Sequence, residues 1–354
     1  MGEYGYFWFY LLLFAFLLQN AVLLHRRWPW GDRRRRVFAN LSLLGLTVFG
    51  LFLAAEGILY LFWDTTDSAM ALLTSRRWID RHVRFNSLDY RGREIPFSTP
   101  WDGRTLRILA LGDSVTFGHG ISREEDRYPD LLEAALRRAG IPAQVYNASR
   151  MGWNSTGEKE LLRMMANGGV RFDLVLLGYT FNDLENHLQG FDIRREHDAI
   201  KNIDGPLAPL LRRSLFLDLV RYAYLSARNR TLQGMDAVLA AAYADPGIWA
   251  AHTADLEEIA SSLAAQGTGL AVVTFPFLMR PWPEYRFTAA HQALNRFWSE
   301  RGVAHVDLLP VFVRHDVREL MVNRLDAHPN ELAHRLAAEA LTPLVLRHLG
   351  PLPR

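Results

Sequence analysis

The 354-residue chain contains no cysteine. Disulfides, thiolate nucleophiles and cysteine-ligated metals are thereby excluded. Neither sign of charge dominates: 40 Lys and Arg stand against 38 Asp and Glu, a formal +2. A chain so balanced offers no basic footprint for nucleic acid. The small excess is concentrated at the N-terminal end, where residues 1–63 carry six arginines against Glu3, Asp32 and Glu56. Internal repeats and low-complexity tracts are missing. So are the Gly-Lys-[Ser/Thr] ending of a phosphate loop and a G-x-G-x-x-G dinucleotide fingerprint. The 12 histidines follow no metal-ligand spacing, and neither a metal nor an organic cofactor is expected.

What is present is apolar, 49% of the chain, and unevenly spread. Tyr6 to Leu24 is broken only by Gln19 and Asn20. Its roughly 19 residues would span about 28 Å as a helix, close to the core of a bilayer. A second run, Val37 to Trp63, is interrupted mainly by Asn40 and Glu56. Between them, residues 25–36 hold Arg26, Arg27 and Arg33 to Arg36. Short arginine-rich loops stay in the cytoplasm. A transmembrane hairpin over residues 1–63 is therefore expected, with helices at 6–24 and 37–63 and the chain beyond residue 64 on the other side. Trp8, Trp28, Trp30 and Trp63 fall at interfacial heights. A cleaved signal peptide is the weaker reading, because no basic residue precedes the first run and no small-residue cleavage site follows it. Glu56, about two turns from the outer end, is expected near the interface, bonded to a neighbour or reaching water.

Residues 64–104 form a polar connector and lead-in, with Asp64, Thr65, Thr66 and Asp67 followed by Pro96, Pro100 and Gly103. From there to residue 350 the pattern alternates. Apolar runs at 107–112, 144–147, 173–179, 270–275 and 303–307 read as strands. Helical spacing at 126–139, 156–166, 247–265, 284–301 and 331–348 separates them. Strands spaced by helices predict a three-layer, doubly wound, five-stranded parallel sheet, with chemistry at the carboxyl ends of its strands. Residues 184–246 carry no strand signal and read as an insertion positioned to cover a site, with a helix-like run near 215–225.

Residues with chemical potential follow those strand ends. Gly112-Asp113-Ser114 can present a hydroxyl, and the Ser114 N–H, at the sheet edge. Gly152, after the second strand, permits close approach of its N–H to the same space. Asn182, after the third, can donate its amide to a developing oxyanion. Asp326 and His328, just before the last helix, share one face of an extended segment, so a carboxylate can orient an imidazole that takes a serine proton. Trp282, between Pro281 and Pro283, is placed either to line a pocket or to pack its loop.

The order Ser, Gly, Asn, His resembles the SGNH/GDSL hydrolase superfamily, whose fold is flavodoxin-like. The segment Asn86-Ser-Leu-Asp-Tyr-Arg-Gly-Arg-Glu94 resembles the lead-in of its membrane-tethered bacterial members. The resemblance implies Ser114 as nucleophile, His328 as general base with Asp326 as its orienting acid, and an oxyanion hole of Ser114 N–H, Gly152 N–H and the Asn182 side chain. Asp113 and Asp183 then play structural parts. Departures are the two-residue rather than three-residue spacing of Asp326 from His328, Asp89 where a glycine is usual, and His119 where an aromatic is common. The implied activity is that of a serine esterase or deacylase acting through an acyl-serine on ester-linked groups of envelope polysaccharides or lipids, without cofactor. An O-acyltransferase of an exported polysaccharide and a non-catalytic glycan-binding or assembly module are the alternatives. The implied location is the bacterial cytoplasmic membrane, with the α/β domain on its periplasmic or extracellular side.

Overall fold

The computed structural model describes residues 5–27, 31–97 and 103–349. Two long apolar helices come first, α1 (Gly5–Arg27) and α2 (Asp32–Phe62). Each is long and apolar enough to cross a membrane, and little of either apolar window is buried. The pair is held by aromatic contacts, Phe7 on Tyr60 and Phe14 on Phe49. The arginine-rich stretch expected as a loop over 25–36 is largely helical: α1 runs through Arg27 and α2 starts at Asp32. Arginine is a good helix former, and the four arginines after Asp32 prolong the second helix rather than break it. Trp28, Trp30 and Pro100 lie outside the described residues.

Glu56 of α2 is buried, and its carboxylate accepts from Ser214 Oγ (2.8 Å), Leu215 N (2.8 Å) and Phe216 N (3.0 Å). These are the first N–H groups of the helix Leu215–Arg228, whose own N-cap, Ser214, takes the Leu217 N–H. An N-terminus leaves its first donors unpaired, and here a side chain from a distant helix satisfies two of them. Glu56→Ala strands three donors and is expected to cost about 1–3 kcal/mol. Thermal unfolding of the detergent-solubilised chain reads this as a lowered Tm, and Glu56→Gln, which keeps one acceptor, should lose less.

The remainder is built on five parallel strands, β1 (Leu106–Gly112), β2 (Ala143–Asn147), β3 (Leu174–Tyr179), β4 (Gly269–Thr274) and β5 (Ala304–Asp307), in the order β2-β1-β3-β4-β5. Side chains alternate across this sheet. Leu109, Leu111, Val175 and Leu177 meet the helices Ser155–Asn167 and Pro246–Ala265 on one face. Ile108, Ala110, Leu174 and Leu176 meet Tyr128–Arg138 and Glu331–Leu349 on the other. Both faces are thus covered, which is why the strands read as nearly continuous apolar runs. Residues 184–246, between β3 and the helix leading to β4, are helical, including Ile193–Lys201 and Leu215–Arg228. A short antiparallel pair, β6 (Met321–Asn323) and β7 (Asp326–Pro329), adds what periodicity did not foresee.

The strand order reverses at β1, whose neighbours are β2 and β3. In open α/β sheets that reversal opens a crevice at the carboxyl ends of the strands. Residues following β1, β2 and β3 therefore converge there.

Candidate active site

Ser114 begins the four-residue helix Ser114–Phe117 just beyond β1. The turn into it runs through Gly112 at φ +154°, where an added Cβ would meet the Gly178 carbonyl oxygen at 2.8 Å. Only glycine fits that passage. Asp113 caps the short helix through the Val115 N–H (2.9 Å). Its other carboxylate oxygen receives Thr180 Oγ1 (2.8 Å) and Asn182 Nδ2 (3.1 Å) from the loop after β3. One buried carboxylate thus fixes both the serine turn and the Asn182 amide.

β7 carries Asp326 and His328 on one face, as alternation requires. His328 Nε2 lies 2.8 Å from Ser114 Oγ, and His328 Nδ1 lies 2.6 Å from Asp326 Oδ1. The carboxylate neighbour assigns the proton to Nδ1, leaving Nε2 as acceptor for the serine hydroxyl. Gly152 sits in the loop after β2 at φ +71°, solvent-exposed. Among the described residues neither the Ser114 nor the Gly152 N–H is spent on a backbone bond. The five residues singled out in the sequence therefore fall on the loops and the short strand around one crevice, with Ser114, His328 and Asp326 in a continuous hydrogen-bonded relay.

Sequence reasoning missed how the acid is held. Asp326 is fully buried, and its Oδ2 accepts a short hydrogen bond from Thr66 Oγ1 and stands 3.1 Å from His119 Nε2. Ser68 Oγ approaches Oδ1 at 3.4 Å and receives the Ala327 N–H at 2.9 Å. Thr66 and Ser68 lie only a few residues beyond α2, in the stretch read as a connector. The His119 ring stacks on His328, centroids 4.0 Å apart and 16° from parallel. Its Nε2 also lies 3.0 Å from the Asp67 carbonyl oxygen. Both neighbours of that nitrogen are acceptors, so it carries a proton. Arg91, from the lead-in, holds the loop bearing His119 through the Gly118 (2.8 Å) and Ile121 (2.7 Å) carbonyls. Asp89 adopts φ +61°, the left-handed conformation for which a glycine is usual at that place.

Charge follows geometry. Burial alone would raise the Asp326 carboxyl, but the His119 and His328 imidazoles outweigh it and hold the group well below the usual carboxylate range. Burial likewise works against a charged His119, and the Asp326 and Asp67 contacts reverse it, raising its affinity for a proton. His197, on the helix Ile193–Lys201, is pushed down to about 4 by burial, then by Lys201 and His328. The same helix sends Arg194 onto the Gly152 carbonyl oxygen (Nε 3.0 Å).

Beside Asp113 and Asp183, Glu158 is fully buried, and among the described residues neither of its carboxylate oxygens has a hydrogen-bond partner. Burial, then Asp113, raises it to about 8, and Asp183 is raised with it. An unfolded glutamate ionises near 4.3. Between that value and about 8 the folded state keeps a proton that the unfolded state releases, so stability falls as pH rises across this window. Glu158→Gln removes the ionisation. Its Tm should exceed that of the parent at pH 8.5, and the gap should close toward pH 5.

Two clusters bring His and Asp ligand atoms within 4.8 Å of one another among the described residues. One is the His119–Asp326–His328 group. In the other, His187–His252–Asp255, the carboxylate already receives Lys159 Nζ (2.6 Å), His187 Nε2 (2.9 Å) and Ser155 Oγ (3.0 Å). Its compensating cation is built in, and it reads as a hydrogen-bonded brace between helices. Trp282 donates to the His315 carbonyl oxygen (2.7 Å) and packs on the sheet's core, so it serves its loop.

The family model described as GDSL-like Lipase/Acylhydrolase family matches residues 110–336. No curated protein matches the sequence. Among solved structures, TesA is 17% identical, with 70% of this chain and 99% of that one covered at a TM-score of 0.43. The psychrotrophic esterase EstA from Pseudoalteromonas sp. is 16% identical, with 69% and 98% covered at 0.40. Axe2, an acetylxylan esterase from Geobacillus stearothermophilus, is 14% identical, with 68% and 94% covered at 0.42. The family match spans more than half of the sequence: the chain belongs to the GDSL-like lipase/acylhydrolase family and is a serine hydrolase acting on ester bonds.

Proposed function

We propose that this enzyme is a membrane-anchored deacylase that removes ester-linked acyl groups from cell-envelope glycans or lipids through an acyl-Ser114 intermediate. The observation that carries the catalytic assignment is the relay Ser114 Oγ–His328 Nε2 at 2.8 Å and His328 Nδ1–Asp326 Oδ1 at 2.6 Å. Ser114 Oγ attacks the ester carbonyl carbon as its proton passes to His328 Nε2. The tetrahedral oxyanion is met by the Ser114 and Gly152 N–H groups and by the Asn182 amide hydrogen not given to Asp113. Collapse breaks the carbon–oxygen bond, and the leaving alcohol takes the proton from His328. Water then adds to the acyl carbon, giving its proton to His328, and collapse releases the carboxylic acid and returns that proton to Ser114. Asp326, kept ionised, stabilises the imidazolium in both halves.

The membrane part rests on the hairpin. Leu12, Phe16, Leu41, Leu44 and Leu51 are exposed on helices long enough to span a bilayer. Six arginines gather at the end joining the two helices, which supports a cytoplasmic turn and an exported α/β domain. Glu56, bonded into the Leu215–Arg228 helix, argues that α2 stays with the mature protein.

A fluorophosphonate probe on the solubilised chain tests the nucleophile: labelling should appear in the parent and vanish in Ser114→Ala. Persistent labelling of that variant would remove Ser114 from the mechanism. A reporter fused after residue 354 should be active only outside the cytoplasm. Asn182→Ala, which deletes one oxyanion donor, should lower kcat by about 10²–10³ with KM nearly unchanged; steady-state kinetics on an acetyl ester reads the split.

A further inference from the structure

The helix Leu215–Arg228 is apolar on both its inward and its outward side. Its buried side carries Asp218 and Tyr222, with Asp218 accepting the Leu73 N–H at 2.7 Å. Its outward arc is Phe216, Val220, Ala223, Tyr224 and Ala227, spaced by three and four residues as one helical face. Val220 and Tyr224 are 51% and 60% exposed, and Leu207 and Leu210, just upstream, are 63% and 45% exposed. A surface helix in water ordinarily turns charge outward and apolar residues inward. Here Leu219, Tyr222 and Leu225 pack inward, yet the outward arc from Val220 to Ala227 is apolar as well.

What covers the face is indicated by where the helix starts. Its first N–H groups are held by Glu56, and Phe216 packs edge-on against Phe52, one turn below in α2. Counting from Arg36 to Glu56 at 1.5 Å per residue gives about 30 Å, the thickness of a hydrocarbon core. If Arg36 marks the inner boundary, Glu56 marks the outer one, and the helix begins at that level. Arginines flank the face: the Arg213 guanidinium lies 5.0 Å from the Tyr6 ring centroid, and that of Arg228 lies 5.4 Å from Tyr224. Cations beside an apolar arc suit lipid phosphates above buried acyl chains.

We propose that the outward face of Leu215–Arg228, with Leu207 and Leu210, docks on the outer surface of the same bilayer that the hairpin spans. The inference rests on the membrane-spanning reading of α1 and α2. The docked helix is a third membrane contact. It fixes the tilt of the α/β domain and keeps the Ser114 crevice close to the lipid surface, selecting esters presented at that surface.

The absence of native cysteines makes the test direct. The full chain, in nanodiscs of anionic and zwitterionic phospholipid, receives one nitroxide at Val220→Cys, at Leu44→Cys in α2 or at Ser299→Cys, an exposed position on the helix that leads into β5. Relaxation by oxygen against a water-soluble nickel complex reports depth. The Val220 label should favour oxygen several-fold over the Ser299 label, approaching Leu44. A Val220 label as nickel-accessible as that at Ser299, with Leu44 still in lipid, overturns the docking and spares the hairpin. Water access at Leu44 overturns both. Dipolar broadening at Val220 that disappears on dilution with unlabelled chain assigns the face to a second copy and also overturns the proposal. Tyr224→Cys, labelled in the same way, should repeat the Val220 result.

Discussion

Ser114→Ala is expected to lower kcat for ester hydrolysis by about 10⁴–10⁶, leaving the fold and substrate binding intact. The side chain is only partly buried and, among the described residues, bonds only to His328, so the deletion opens no core cavity. His328→Ala should cost a similar factor, and the double variant little more than either alone. Nucleophile and base act as one unit, and once either is gone the other has nothing to do. Burst-phase acyl release and steady-state rates on a chromogenic acetyl ester, alongside thermal unfolding, separate lost chemistry from lost structure. Additive losses in the double variant would show that the 2.8 Å contact is not the catalytic one.

Asp326→Asn should reduce kcat by about 10⁴ for a different reason. The two oxygens of Asp326 face different company. Oδ2 accepts from Thr66 and from the protonated Nε2 of His119, while Oδ1 accepts from His328 Nδ1 and the His328 backbone N–H, with Ser68 Oγ at 3.4 Å. The His119 Nε2–H on the Oδ2 side can only donate, so an asparagine keeps that bond by turning its carbonyl oxygen toward His119 and Thr66. Its NH₂ then faces His328 Nδ1, which must become the acceptor. The remaining proton moves to Nε2, where it blocks abstraction from Ser114. Nitrogen NMR of the imidazole should report the exchanged tautomer, with Tm lowered only modestly. A variant that keeps the Nδ1–H tautomer and most of its rate would show that another group orients His328.

The sheet and the three loops bearing Ser114, Gly152 and Asn182 were legible because parallel strands covered on both faces must be apolar throughout, and because these residues follow the strand ends at Gly112, Asn147 and Tyr179. The two-residue spacing of Asp326 and His328 was likewise readable from strand alternation. What escaped notice was long-range. Thr66 and Ser68 sit roughly 260 residues before the acid they hold, in a segment whose polarity alone suggests a solvated link. His119 gave one usable signal, its occurrence five residues after the nucleophile, but nothing in the chain announces that it shares Asp326. Glu56 was flagged as an anomaly without its partner, since a helix N-terminus 158 residues away leaves no periodicity to find. The β6–β7 pair is too short to show alternation, and the arginines at 33–36 read as a loop because their charge outweighed their helix propensity.

The support of Asp326 by Thr66 and Ser68 decides where the chain can be cut without harm to the site. The recognisable family region spans residues 110–336, and a fragment cut near residue 84 or 105 would look complete by that measure. It would nonetheless leave behind two hydroxyls that grip the acid and the carbonyl that meets His119. Such a truncation removes the groups that hold Asp326 along with the two apolar helices. A version without α1 and α2 must therefore begin before Thr66, so that the first residues beyond α2 remain attached to the acid they hold.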